Sequence, residues 1–259
     1  MKILRTLCLV HLVLISFPVL SQVSADACGP LGNGFGPFDY RSDHQSSNAG
    51  VGADLPYGER RRLVDGAHFT PRVELLIGAQ SGGQIGAPGA DLDYTLRAFP
   101  NHHRALMAVM RYGEKTKSEK PAGLGWVVEC YFERAARFKP DDTIVKMLYA
   151  TYLIKHNRVP EAVGQLERAT VLAKDGAFTH YNIGLVYFDM KNYGKALAQA
   201  HGAMALGFPR TELRDLLKGV NQWQEPRADA TAGAPAEPAS QPAGQSAGGA
   251  ALVDPKPKQ

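Results

Sequence analysis

The sequence predicts an all-α protein: a solenoid of antiparallel helix pairs with about three repeats and a capping helix, between a Gly-rich irregular segment and a disordered tail. Three observations predict it. Ala135, Ala169 and Ala203 recur at a 34-residue step, and the columns Val128, Ala162, Ala196 and Phe132, Leu166, Ala200 keep the same step. Small residues at fixed places let helices approach closely, and a fixed period of this length marks stacked helix-turn-helix units. In the last copy Gly184 and Tyr187 precede Ala196 by 12 and 9 positions, which fits the G-x-x-Y…A core of a known helix-turn-helix repeat pattern with a 34-residue period. Finally, punctuation falls where the period needs it: Pro140-Asp141-Asp142 and Pro160 open helices, and Gly176 and Gly207 close them.

The ends of the chain read differently. Lys2 and Arg5, the apolar run Leu7 to Leu20 and Ala25-Asp26-Ala27 have the form of an export signal over residues 1–27. The run is shorter than the roughly 20 residues a spanning helix needs, so no transmembrane helix is expected in the mature chain. Residues 28–98 form the Gly-rich segment, with Phe35, Phe38 and Tyr40 as its anchors, and residues 99–222 hold the repeats. Residues 223–259 collapse into Ala, Pro, Gly, Gln and Ser, a composition that cannot offset its ordering entropy.

Within the N-terminal segment Thr70-Pro71 starts a short helix that ends by Gly78, and Ser81 to Gly89 reads as a flexible surface loop. Its glycines lack the Lys-Ser/Thr pair of a phosphate loop. Repeat one takes Asn101 to Tyr112 as its first helix and Leu124 to Arg137 as its second, with Gly113 to Gly123 as a solvent loop between them. Repeat two runs from Pro140 to Gly176, and repeat three from Ala177 to Leu206. Thr211 to Gln222 closes the stack, with Leu213, Leu216, Leu217 and Val220 on one side.

The segment from Asn101 to Gly207 resembles the tetratricopeptide family, through Ala150, Ala162, Ala169, Gly184, Ala196 and Ala203. It departs from the family pattern at Lys146, Tyr149 and His180, where Trp and Leu are common, and at Lys174, where proline is common. The stretches Cys28 to Arg41 and Arg97 to Leu106 look like parts of exported bacterial members of no assigned activity, which implies a periplasmic or secreted setting. The resemblance further implies a groove along the first helices that holds a protein or peptide partner. Its lining would be Ile144, Met147, Thr151 and Ile154 in repeat two and Phe178, Tyr181, Leu185 and Phe188 in repeat three. The alternatives are that Phe35, Phe38 and Tyr40 fill that groove, or that the N-terminal segment is a small ligand-binding or catalytic module which the repeats support.

No chemistry competes with the scaffold reading, and no catalytic residue, metal site or cofactor is expected. His102-His103 reads as a surface pair at a helix start, since neighbours on a helix point about 100° apart, and His180 as packed. Asp91 and Asp93 read as caps and turns, and no nucleophile elbow occurs. A net charge of +4 is near balance. Arg60-Arg61-Arg62 and Lys115, Lys117 and Lys120 read as solvated surface, so nucleic acid is not expected. Of three cysteines, Cys8 falls in the signal. Cys28 and Cys130 can form a disulfide in an oxidising compartment. A lipid anchor on Cys28 is not expected, because Ala25 and Asp26 depart from the attachment pattern.

Overall fold

The computed structural model describes residues 25–32, 34–41, 55, 57–81 and 84–226. The expected export signal up to residue 24 and the expected tail from residue 227 lie outside them. Among the described residues the fold is mostly helical, with a single two-stranded hairpin. No helix there is long and apolar enough to cross a membrane.

The N-terminal segment is more regular than its glycine content suggests. It holds α1 (Tyr57–Ala67), α2 (Pro71–Glu74), the antiparallel strands β1 (Ala79–Ser81) and β2 (Gln84–Gly86), and α3 (Gly89–Ala98). The hairpin and the start of α3 replace the expected surface loop. α2 begins with Pro71 in its first turn, where a missing N–H costs nothing, although the Thr70 side chain makes no cap bond. Leu92 and Leu96, one helical turn apart, turn the same side of α3 into the core. Phe38, Tyr40, Val64, Ala98 and Phe99 form a smaller second core.

The helical array follows as α4 (His103–Thr116), α5 (Val128–Phe138), α6 (Thr143–Lys155), α7 (Val159–Ala173), α8 (Ala177–Asp189), α9 (Tyr193–Ala205) and α10 (Glu212–Gly219). α4 starts at a His102 cap rather than at Asn101, because the imidazole Nδ1 accepts the Ala105 N–H at 3.2 Å. Asp142 caps α6 through the N–H groups of Ile144 and Val145. The tight turns after α6 and α8 place Asn157 and Lys191 at φ 59°.

All nine column residues, from Val128 to Ala203, are buried in one continuous core. α6 packs on α7 and α8 on α9, and the first helices also touch one another, α4 on α6, α6 on α8 and α8 on α10. Gly184 permits the last of these contacts, since a Cβ there would stand 2.4 Å from Leu213 Cδ2. Arg158, which precedes α7, ties three helices: it donates to Glu129 of α5 and to Glu161 of α7, while the Tyr149 hydroxyl of α6 donates to Glu129 at 2.7 Å. In α10 Leu213 and Leu217 are buried, but Leu216 and Val220 face solvent, so its apolar side is only half used.

The segment before α1 runs over the helices and is held at both ends. Cys28 and Cys130 are bonded, with Cα atoms 5.0 Å apart, and Arg134 donates to the Cys28 and Pro30 carbonyls. At the other end the Phe38 N–H donates to the Ala98 carbonyl, and the Tyr40 N–H to the Asn101 side chain.

Candidate functional site

Three places combine unusual chemistry or exposure: the outer row of the first helices, a cavity beside the loop between α4 and α5, and a buried polar cluster where the N-terminal segment meets α4 and α6.

The row divides. Ile144, Thr151 and Ile154 of α6 and Phe178, Leu185 and Phe188 of α8 are half-buried, their side chains spaced to share one side of each helix. Met147 (1% exposed) and Tyr181 (4%) belong instead to the core. Tyr181 lies under Phe208, ring centroids 4.7 Å apart, and its hydroxyl donates to Glu212 at 3.1 Å. Helix α10 and the turn before it therefore cover a position expected to face a partner. Thr151 turns its hydroxyl back to the Met147 carbonyl. Phe35, Phe38 and Tyr40 pack by α1, α3 and α4, against Val64, Phe99 and His102 rather than along this row.

The cavity has a volume of about 430 Å³ and lies between the C-terminal ends of α4 and α6. Its floor is Met110, Val128 and Tyr152, all buried, with the His156 ring 4.1 Å from that of Tyr152. Glu114 and Lys155 are paired across its rim at 2.9 Å. Lys117, Ser118 and Glu119 form the remaining wall. They belong to the loop expected to stand in solvent, and their side chains are exposed as expected, while the backbone of the loop is fastened to its neighbours. Tyr112 donates to the Ala122 carbonyl, Gly125 N–H to Asp93, and Val128 N–H to the Glu119 carbonyl. Gly89 and Gly123 let two backbones meet, for a Cβ on Gly89 would stand 1.9 Å from the Ala122 oxygen. An insertion where the repeat has a tight turn was the available signal, since insertions in repeats map to loops that shape one face.

The polar cluster corrects the expectation of a surface histidine pair: His102 is 0% and His103 3% exposed. With Nδ1 used by the cap, the His102 proton resides on Nε2 and is donated to Asp65 at 3.1 Å. Burial pushes this imidazole down against the pull of Asp65, so it stays neutral. Both ring nitrogens are engaged, which suits a cap and leaves no base for chemistry. His103 Nε2 donates to Asp142 at 2.9 Å, and Asn101 and Arg41 bind the same carboxylate. Asp39 lies beside them, paired with Arg41 and Lys139. The arginine run is likewise not all solvated. Arg60 is buried over the Phe38 ring and Arg61 lies 4.4 Å over Tyr40, while Arg62 alone of the three is exposed. Asp91 and Asp93 sit on helix α3, where Asp91 meets His68 and Asp93 meets Arg97 and Tyr131. His180 bridges Gln199 and the Lys174 carbonyl. No group of three or more His, Cys, Asp or Glu side chains suited to a metal ion occurs among the described residues.

Compared with known proteins, the chain matches no family model and no curated protein.

Proposed function

We propose that this chain is an exported, non-catalytic scaffold of the tetratricopeptide kind, periplasmic or secreted, which holds a peptide segment of another protein along its first helices. The observation that carries the reading is a pairing at the repeat step. Ile144 with Phe178, Thr151 with Leu185, and Ile154 with Phe188 are each 34 residues apart and all partly exposed, on helices that touch. Helices that contact along one layer while their partners pack behind them give a stack an inner face, and repeat arrays use such faces for binding. A row that is apolar apart from Thr151 and keeps part of its surface in water gains from being covered. The Cys28–Cys130 bond fits an oxidising compartment.

Peptides selected from a random display library against the purified chain test the proposal. Leu185→Ala and Phe188→Ala should each weaken the selected peptides by about 2 kcal/mol, as truncation of a buried anchor does, with an unchanged helical circular-dichroism signal. Selected peptides that bind both variants as tightly as the parent would reject this face.

A further inference from the structure

We propose that the cavity between the ends of α4 and α6 binds a zwitterion with an apolar body, the chemistry of a free α-amino acid with an aromatic or branched side chain. This site goes beyond the peptide-binding face: the inserted loop walls it, and of the repeat columns only Val128 reaches it.

Charge selects the class. Four charged side chains stand at the rim, and Glu114 and Lys155 satisfy each other at 2.9 Å. Lys117 and Glu119, two residues apart, have no ion-pair partner among the described residues. A bare anion would meet Glu119 and the negative ends of two helix dipoles, and a bare cation would leave Lys117 unmatched. A ligand carrying both charges answers both. Size and floor select the body. A volume of about 430 Å³ falls within the range of small-molecule sites. Met110, Val128 and the Tyr152 ring give an apolar bed. Tyr152 is 6% exposed, so its ring forms the buried base of that bed.

Isothermal titration of the full chain with L-phenylalanine and L-leucine tests this, beside phenethylamine (cation only), 3-phenylpropionate (anion only) and N-acetyl-phenylalanine amide (neither charge). Binding of the amino acids at about 1 mM or tighter is expected, with each analogue at least about tenfold weaker, the usual worth of a charge-assisted bond. Glu119→Gln and Lys117→Met, both at exposed positions and expected to keep the parent's melting curve, should each cost the same factor. A phenylalanyl-glycine dipeptide that binds as well keeps the zwitterion and assigns its source to short peptides. No heat with either amino acid, equal binding of the uncharged amide, or indifference to both charge variants would overturn the site. None of these outcomes bears on the peptides held by Leu185 and Phe188.

Discussion

Asp142 joins three parts of the chain through one carboxylate. It caps α6, accepts from His103 and Asn101 of the α4 start, and pairs with Arg41 of the N-terminal segment. Burial alone would raise its pKa, but His103 and Arg41 with the Asn101 bond outweigh that and hold it below the ordinary carboxylate value. Asp39 is depressed likewise: burial opposes, and the Arg41 and Asn101 bonds prevail. A depressed carboxylate contributes stability that is fully present above its unfolded pKa, near 4, and is lost as pH falls through the folded value. His102 is depressed by burial, so its contribution is present above about 6.5 and declines below it. Acid should therefore lower the thermal midpoint in two stages, a shallow one from about pH 6.5 and a steeper one below about pH 4. His102→Asn, which keeps a cap acceptor, should remove the first stage. Asp142→Asn should lower the neutral-pH midpoint and flatten the second. Parallel pH profiles for all three proteins would count against both assignments.

At the scale of elements, the loop between α4 and α5 behaves as a wall. Its backbone lies directly on the start of α3, an approach that only glycine allows at positions 89 and 123, where Gly123 also takes φ +86°. A Cβ at Gly89 would meet backbone, which cannot rotate away as a side chain can. Gly89→Ala should cost about 3 kcal/mol, the upper end of an overpacking penalty, and should speed tryptic cleavage after Lys117. Urea unfolding with limited proteolysis measures both, and an unchanged midpoint with an equally protected loop would mean that the close approach is absent in solution.

Across the whole molecule, the N-terminal segment is fastened at two places. The Cys28–Cys130 bond spans 102 residues, and closing a loop of that size is worth up to about 4.7 kcal/mol by restricting the unfolded chain. Arg134 and Arg137 hold the backbone carbonyls beside it, and the Asp39 and Arg41 cluster holds the far end. Reduction should lower the thermal midpoint of the parent protein, while a Cys28→Ala/Cys130→Ala variant should start low and not respond to reductant. Equal midpoints for parent and variant without reductant would show that the bond carries no stability.

By itself the sequence determined the periodic half of this protein. Val128, Ala162, Ala196 and their companion columns predicted helices and their buried sides, because a helix facing helices on a fixed period must keep its contact residues small and apolar wherever the period returns. Proline, aspartate and glycine marked the turns for equally local reasons. Tertiary structure alone decided what lies outside that period. His102 and His103 read as surface because polar residues at a helix start normally are, and they became buried only because Asp65 and Asp142, distant in sequence, satisfy them. Arg60 and Arg61 left solvent when aromatic rings from another segment covered them. Tyr181 and Met147 passed from groove to core once α10 and neighbouring helices closed over their sides. The cavity beside Tyr152 takes one wall from Lys117, Ser118 and Glu119, held where the Glu119 carbonyl accepts the Val128 N–H, and a closure of that kind leaves no periodic trace in the chain.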